Sequence, residues 1–418
     1  MPTFVNPGRR AAAEALVAAE SGAHIEDALG ELAPHEPGDR ALSWNLALGV
    51  LRRRDALDAA IIAGAQRSMR TLDPAVRAIL RCAIYELAFT RTPRHAAVDQ
   101  AVELTRRMRV GHAAHFVNAV LRNAPAPDSS LPGFPDVLIQ RWRARWGADA
   151  DAWMTACNQP APLYIVARED EAGLVRSFQH AGIVATPVGP AAGAPRALAV
   201  PSGPVPEFPG FAEGRFWVMD PAAVAVADLV ADAVPEGASV LDACAAPGGK
   251  SLRLASRGLR VVATDSSAER LKRLDENCAR MGLKIEMSAW DWTLPPEPGS
   301  AMATTQFDAV LVDAPCSGLG TVRRHPDIRW RKTTPELFQA HLKTLATRQA
   351  ALLHQLKRRV KPGGVLVYAV CSPEPEEGEA IARTLNWPIE ARVDTSPGAV
   401  DAAAGADAHV AFRFRAPA

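Results

Sequence analysis

The second half of the chain alternates short apolar runs with segments of helical periodicity. The apolar runs predict strands at residues 238–243, 261–265, 284–288, 307–312 and 364–370. Valine-rich runs that are apolar throughout are typical of parallel strands buried on both faces. Their alternation with helical segments predicts a doubly wound parallel sheet of the α/β class. The last run, residues 409–415, alternates at period two, which predicts an exposed or edge strand.

The first part of the chain has a different pattern. Between residues 8 and 124, apolar positions recur at helical spacing, and few glycines or prolines interrupt them. The periodic segments are 11–19, 41–51, 57–65, 76–89, 98–108 and 116–121. This spacing predicts an all-α helical bundle with short connections, in a domain that covers residues 1–126.

A proline-rich, turn-forming stretch at residues 124–135 separates this bundle from the next segment. Residues 136–216 begin with a helix that carries Trp142 and Trp146 and continue through the apolar run 163–167 into Pro/Gly-rich sequence. We interpret them as a small α+β module. The predicted domains are therefore 1–126, 136–216 and 217–418.

Length and composition are those of a globular protein. With 418 residues, 48% of them hydrophobic, the chain is long enough for two or three domains. It has no apolar run of eighteen residues and no secretion-type start, so a cytoplasmic protein without membrane contact is expected. Six cysteines without C-x-x-C spacing favour free thiols over a metal site or a disulfide scaffold.

The charge pattern points to nucleic acid only locally. A net charge of +1 does not by itself indicate a polyanionic partner. Short basic clusters do, above all the run at residues 323–332, which includes Trp330. Such a run can bind phosphates and stack its indole on a base, whereas the alternative is a solvated charged surface.

Two cysteines directly follow predicted strands. Cys316 lies in the sequence Asp313-Ala314-Pro315-Cys316-Ser317, and Cys371 is followed by Ser372. Ligands of open α/β sheets bind at the carboxyl ends of the strands. A free cysteine is usually a small buried hydrophobic residue, but two thiols at matching strand ends predict a reactive pair.

A glycine-rich turn follows the strand at residues 238–243. Pro247-Gly248-Gly249 place backbone amides and a helix start next to a bound ligand. Cys244 stands where a phosphate loop requires glycine, and the turn does not read G-x-G-x-x-G. These features disfavour an ATPase and a nicotinamide cofactor, and S-adenosylmethionine remains.

Two acids complete the predicted cofactor site. Asp265 closes the next strand, 23 positions after Asp242, where an acid accepts hydrogen bonds from ribose hydroxyls. Asp291, between Trp290 and Trp292, is expected to receive an adenine amino group beside an indole.

Four motifs, in order along the chain, resemble those of RNA cytosine-5 methyltransferases of the RsmB/Sun type. They are residues 245–250, 313–318, 323–328 and 368–372. Residues 92–98 and 116–122 resemble the NusB-like domain that distinguishes this type. The resemblance implies a NusB-like helical RNA-binding domain, an RNA-binding α+β module and a Rossmann-like class I methyltransferase domain. It implies a monomeric, metal-free enzyme that methylates 16S ribosomal RNA.

The resemblance also implies roles for individual residues. Cys371 is expected to be the nucleophile, Cys316 the helper that completes release, and Asp313 the residue that holds the base. The residues expected to bind S-adenosylmethionine are Cys244, Ala245, Ala246, Pro247, Gly248, Gly249, Lys250, Asp265, Asp291 and Asp313. Because C5 of cytosine is a weak nucleophile, a thiolate must first add to C6 of a base that has left the RNA stack.

The chain departs from the family pattern at several positions. It has Val370 where the family has Thr, Gly378 where it has Asn, Met219 where it has Gln, and Val166-Ala167-Arg168 where it has Arg-x-Asn. Two other interpretations stay open, a tRNA cytosine-C5 methyltransferase and a non-enzymatic RNA-binding assembly factor. The patterns do not identify the methylated nucleotide or tell whether the bundle contacts RNA or protein.

Overall fold

The computed structural model describes residues 5–189, 197–294, 301–399 and 406–418. The chain forms two compact units. Unit 1 consists of the described residues up to Pro160 together with Val322–Pro335, and unit 2 of those in Ala161–Thr321 and Glu336–Ala418. The chain thus returns to unit 1 for a short segment, Val322–Pro335, which we call the strap.

Unit 1 contains the predicted helical bundle. Its helices are α1 Pro7–Glu20, α2 Ile25–Leu32, α3 Pro37–Arg52, α4 Arg54–Ala65, α5 Pro74–Phe89, α6 Arg94–Arg107, α7 Ala114–Asn123, α8 Asp136–Trp146 and α9 Ala148–Cys157. Helices α1 and α5 begin at a proline, and the side chains of Asn6 and Asp73 accept hydrogen bonds from backbone amides of the first turn. Apolar residues of α5, including Ile79 and Leu80, are buried in the bundle core. The helical fold predicted for this region is confirmed.

Basic residues of the strap form hydrogen bonds within unit 1. Arg329 is 1% exposed, and its guanidinium donates to the carbonyl oxygens of Gly133 and Cys157 at 3.0 and 2.6 Å. The indole of Trp330 donates to the carbonyl oxygen of Leu51 at 2.8 Å. The expectation of a phosphate-binding surface is therefore wrong for Arg329, because buried backbone carbonyls take up its donors. Trp330 is half-buried against the bundle core, and base stacking by its indole stays a prediction.

Unit 2 opens with a small antiparallel sheet. Its elements are β1 Leu163–Ala167, α10 Glu171–His180, β2 Thr186–Val188, β3 Ala197–Val200 and β4 Phe216–Val218, with the strand order β2-β3-β1-β4. Ile165, Leu198 and Phe216 pack with Phe178 of α10. The two compact units divide the middle module of the sequence analysis, since α8 and α9 lie in unit 1 and β1 to β4 in unit 2.

The larger sheet of unit 2 has the predicted Rossmann-like arrangement. The remaining elements are α11 Pro221–Ala231, β5 Ser239–Asp242, α12 Gly249–Ser256, β6 Arg260–Asp265, α13 Ala268–Met281, β7 Glu286–Ala289, α14 Ala301–Thr304, β8 Phe307–Asp313, α15 Pro335–Leu356, β9 Val360–Val370, α16 Glu379–Arg383, β10 Ile389–Asp394 and β11 Val410–Arg415. The strand order is β10-β11-β9-β8-β5-β6-β7, and the strands from β9 to β7 are parallel. The order reverses between β5 and β8, which is the switch point where such sheets bind ligands.

The C-terminal strand corrects one prediction. β11 is not an edge strand, because it pairs antiparallel with β9 on one side and with β10 on the other. Val410, Phe412 and Phe414 are buried. The pattern did not predict β10, which covers the second edge of β11. Arg415 of β11 pairs with Glu390 of β10 at 2.9 Å, so its charge is balanced across the ladder.

Within the described ranges, no helix combines the length and apolar character needed to cross a membrane.

Candidate active site

The predicted site residues converge at the carboxyl ends of the parallel strands. Cys244 follows β5, Asp265 ends β6, Asp313 ends β8, and Cys371 follows β9. Because parallel strands end at the same edge of a sheet, these side chains come from one edge although they are far apart in sequence.

The turn after β5 is fixed by backbone contacts. The amide of Ala245 donates to the carbonyl oxygen of Thr264 at 2.9 Å, and that of Ala246 to Oδ2 of Asp265 at 3.3 Å. Gly248 precedes α12 with φ of 111°, and a Cβ there would lie 2.6 Å from Leu274. The turn therefore needs glycine at 248 for both its conformation and its packing.

Asp242 is the last residue of β5, directly before this turn. It is 1% exposed, and its Oδ2 accepts a hydrogen bond from the hydroxyl of Ser251 at 2.6 Å. Burial raises the pKa of Asp242 to about 6, although the Ser251 hydrogen bond opposes the shift. Oδ1 of Asp242 has no protein partner among the described residues.

The carboxylates of three strands surround Cys244. Burial, followed by the charges of Asp313, Asp242 and Asp265, raises the pKa of the Cys244 thiol well above its usual range. Cys244 therefore stays protonated at neutral pH. A thiol with this raised pKa is a poor nucleophile at neutral pH.

The two acids predicted for the cofactor have different environments. Asp265 is 4% exposed, and its Oδ1 accepts from the amide of Ser267 at 3.1 Å. Asp291 is exposed, and hydrogen bonds from Thr293 lower its pKa. Trp292 is buried and donates its indole N–H to Oγ1 of Thr264 at 2.9 Å, so only the partly buried Trp290 is available beside Asp291.

Lys250 and Asp313 form an ion pair across the switch point between β5 and β8. Lys250 Nζ lies 2.6 Å from Oδ2 of Asp313, and the two side chains are 13% and 25% exposed. Burial disfavours the ammonium, but the charge and hydrogen bond of Asp313, with a contribution from Cys371, outweigh it and raise the pKa of Lys250. The sequence pattern predicted Lys250 only as a cofactor-lining residue and did not indicate this pair.

The two predicted catalytic cysteines meet. Sγ of Cys316 and Sγ of Cys371 are 3.2 Å apart, within hydrogen-bond distance. The hydrogen bond to Cys371, followed by burial, raises the pKa of Cys316 well above its usual range. The distance alone does not fix which sulfur is the donor, and the raised pKa of Cys316 favours its protonated form.

A backbone link holds the two cysteine loops together. The amide of Gly320 donates to the carbonyl oxygen of Cys371 at 3.0 Å. A Cβ at Gly320 would lie 1.8 Å from the carbonyl oxygen of Ala408 and 2.9 Å from that of Cys371, so a side chain at this position would displace the Cys371 loop and the start of β11.

A buried carboxylate that sequence reasoning missed lies next to both loops. Glu377 is fully buried, and hydroxyl groups of Ser317 and Ser372 both donate to its Oε2 at 2.6 Å. Its position in the run Pro375-Glu376-Glu377 was the available signal, but a charged loop residue normally indicates a surface.

The six cysteines are free, as predicted. Cys82, Cys157 and Cys278 are buried and do not take part in the site. In the part of the chain that the structure describes, no group of three or more His, Cys, Asp or Glu residues is placed to hold a metal ion.

Comparisons with known proteins identify the family of the chain. A family described as 16S rRNA methyltransferase RsmB/F matches residues 230–410, and the NusB family matches residues 6–125. The chain is 37% identical to ribosomal RNA small subunit methyltransferase B of Xylella fastidiosa over 83% of each chain. It is 33% identical to the protein of the same name from Vibrio cholerae over 90% of this chain and 88% of the relative.

Solved structures support the fold. PH0851 superposes with a TM-score of 0.77 at 22% identity and covers 98% of this chain and 99% of its own. NSun6 from Pyrococcus horikoshii, solved with SFG, gives a TM-score of 0.54 at 18% identity and covers 68% of this chain and 98% of its own.

Proposed function

Because the chain belongs to the 16S rRNA methyltransferase RsmB/F family, we propose that it transfers a methyl group from S-adenosylmethionine to C5 of a cytosine in 16S ribosomal RNA. The observation that carries the proposal is the 3.2 Å contact between the sulfurs of Cys316 and Cys371 at the carboxyl edge of the sheet. The relatives' names supply the RNA substrate. A ribosomal RNA substrate also places the protein in the cytoplasm.

The residues at the switch point fit S-adenosylmethionine. This ligand carries a cationic sulfonium. Burial, followed by the negative charges of Asp313, Asp242 and Asp265, raises the pKa of the Cys244 thiol. The same negative charges favour a cation at this turn. Oδ1 of Asp242 is buried without a protein partner among the described residues, as expected of a polar atom that faces a ligand. In this proposal Asp265 accepts hydrogen bonds from the ribose hydroxyls and Asp291 from the adenine amino group. When bound, the cofactor supplies an electrophilic methyl group.

Cys371 is the attacking thiol in this proposal. Its thiolate adds to C6 of cytosine, a sulfur–carbon bond forms, and the electron pair of the C5–C6 double bond moves to C5. In this proposal Cys316 donates its hydrogen bond to the sulfur of Cys371, and Lys250 is a cation close to that sulfur. The raised pKa of Cys316 supports attack by Cys371 rather than by Cys316.

Cys316 completes the reaction. After C5 has been methylated, its proton must leave so that the C5–C6 double bond can re-form and expel the Cys371 thiolate. Cys316 first releases its thiol proton to water, and its thiolate then accepts the C5 proton; because the pKa of Cys316 is raised, this thiolate is a strong base. Asp313, held by Lys250, keeps the base in place at its N3 edge.

The test separates the two cysteines. Each variant is incubated with 16S rRNA fragments and S-adenosylmethionine and is then run on a denaturing gel. We expect a slow-migrating protein–RNA adduct from Cys316→Ala, which attacks but cannot release, and none from Cys371→Ala. Cys278→Ala, which changes a buried thiol outside the site, serves as the control and should methylate normally. An adduct from Cys371→Ala would reverse the roles.

A second experiment identifies the substrate. Bisulfite sequencing of 16S rRNA and tRNA from a strain that lacks the gene, with and without a plasmid copy, should show one lost cytosine methylation in 16S rRNA. A loss confined to tRNA, or no loss in either RNA, would contradict the proposed substrate.

A further inference from the structure

Glu377 connects the two cysteine loops. Its side chain accepts hydrogen bonds from the hydroxyl of Ser317, the amide of Ser317, the hydroxyl of Ser372 and the side-chain amide of Gln349, at 2.6, 2.8, 2.6 and 3.1 Å. The two serines directly follow Cys316 and Cys371 in the sequence. One carboxylate therefore binds the residue next to each sulfur.

We propose that Glu377 is a positioning residue for methyl transfer, which holds the Cys316 and Cys371 loops at the separation the reaction needs. The inference rests on the proposed function for its role in catalysis, but its geometric basis is independent of it. The hydroxyl groups of Ser317 and Ser372 lie 3.1 Å apart, so the side chains beside the sulfurs also contact each other directly. Glu377 fixes both hydroxyl groups at once, because Ser317 and Ser372 share its Oε2.

Glu377 is itself held from two other elements. Tyr368, a buried residue of β9, donates its hydroxyl to the carbonyl oxygen of Glu377 at 2.5 Å. Gln349, a buried residue of α15, donates both to Oε1 of Glu377 and to the carbonyl oxygen of Pro315, at 3.1 and 3.0 Å. We call Glu377 with Ser317 and Ser372 the clamp. The clamp is anchored to a strand and a helix, as expected of a group that preorganises a site.

The chemistry of the clamp predicts graded effects. Alanine at 377 leaves three groups of Ser317 and Ser372, and the amide of Gln349, without their buried acceptor. Glutamine keeps one acceptor oxygen but turns an NH₂ group toward two of the donors. Displacement of reacting groups by about 1 Å costs about 100-fold in rate. We therefore expect kcat of Glu377→Ala to fall about 100-fold, with a smaller loss in Glu377→Gln and unchanged KM values for RNA and S-adenosylmethionine.

A direct measure of the sulfur geometry does not depend on methylation. Diamide accepts two electrons and two protons as the Cys316 and Cys371 thiols join in a disulfide, and mass spectrometry gives the rate. We expect rapid closure in the wild type and closure at least about tenfold slower in Glu377→Ala, since a disulfide requires narrowly defined geometry. The double variant Ser317→Ala/Ser372→Ala removes the same hydroxyl links, so its disulfide closure should be slowed to a similar extent. This variant tests the proposal if Glu377→Ala does not fold.

A matched control lies at the other end of β8. Asp308 also joins neighbouring strands, because it accepts from the amide and hydroxyl of Ser239 and from Lys361 at 2.8, 2.6 and 2.7 Å. Asp308→Asn should leave both kcat and the disulfide rate unchanged. Folded Glu377→Ala or double-serine protein with wild-type kcat and wild-type disulfide rate would overturn the proposal. The oxidation rates judge the clamp even if the wild type methylates no 16S rRNA, an outcome that would contradict the proposed function alone.

Discussion

Replacing Arg329 by alanine should destabilise unit 1 more than any change to an exposed arginine. Arg329 is 1% exposed and donates to four buried acceptors: the carbonyl oxygens of Gly133, Cys157 and Val322 and Oδ1 of Asn158, at distances from 2.6 to 3.2 Å. Its guanidinium also lies 4.0 Å from the ring centroid of Phe134. Burial lowers the pKa of Arg329 to about 9, so the group remains charged at neutral pH.

The expected cost follows from these contacts. A buried acceptor that loses its donor costs about 1–3 kcal/mol. The four acceptors surround one side chain, so their losses are not additive, and the release of a buried charge offsets part of them. We therefore expect Arg329→Ala to lower the free energy of unfolding by about 4 kcal/mol. Arg329→Lys keeps the charge but not the fork of donors, so its free energy of unfolding should lie between those of the wild type and Arg329→Ala.

Urea denaturation followed by tryptophan fluorescence measures this effect. Trp142 is a suitable reporter, since its ring lies 5.3 Å from that of Phe134. Lys332→Ala, in the same strap, is the control and should change stability by less than about 0.5 kcal/mol. If Arg329→Ala and Lys332→Ala unfolded at the same urea concentration, the strap would not be anchored by the buried guanidinium.

Three further outcomes are expected. Asp265→Ala should weaken S-adenosylmethionine binding by about 1.5–3 kcal/mol in calorimetry, and unchanged affinity would remove this carboxylate from the cofactor site. The folded-state pKa of Asp242, about 6, exceeds its unfolded value, so wild-type stability falls as pH rises between about 4 and 6. Asp242→Asn lacks this penalty and should gain about 1.4 kcal/mol on the wild type between pH 5 and pH 7.5 in urea titrations; a constant difference would contradict the shift. Deleting residues 1–125 removes the Leu51 acceptor of Trp330, so limited proteolysis should cut the strap faster than in the full chain, and equal cleavage would argue against its anchoring.

The sequence predicts well which residues meet at the carboxyl edge of the sheet, because a parallel sheet brings its strand ends together whatever the side chains around them. The β5 turn, Asp265, Asp313 and both cysteines follow from strand periodicity and chain order alone. The structure adds less about Asp291, because this exposed carboxylate accepts hydrogen bonds from the amide and hydroxyl of Thr293 in its own turn. Its role at the adenine stays a prediction.

The hydrophobic and charge patterns of the sequence do not predict contacts between distant segments. A basic run normally indicates a solvated or phosphate-binding surface, and only the folded unit shows that Arg329 faces buried carbonyls of residues almost two hundred positions earlier. The edge-strand prediction for residues 409–415 failed for a related reason. Nothing in the alternation of β11 reveals that β10 pairs with its second side.

In the proposed mechanism, the two cysteines are distinguished by their surroundings and not by their motifs. Both thiols follow a parallel strand and precede a serine, so the local sequence treats them alike. Burial, the neighbouring sulfur and the charge of Glu377 all favour the protonated form of Cys316, whereas Lys250 lies near Cys371 as a cation. A carboxylate beside one thiol and an ammonium beside the other thus divide donor from nucleophile, and the same Glu377 that raises the pKa of Cys316 also joins the two loops. Glu377→Gln removes one of the charges that raise the pKa of Cys316 and should therefore speed iodoacetamide labelling of Cys316 at alkaline pH, followed by mass spectrometry; unchanged labelling would show that the charge of Glu377 does not act on this thiol.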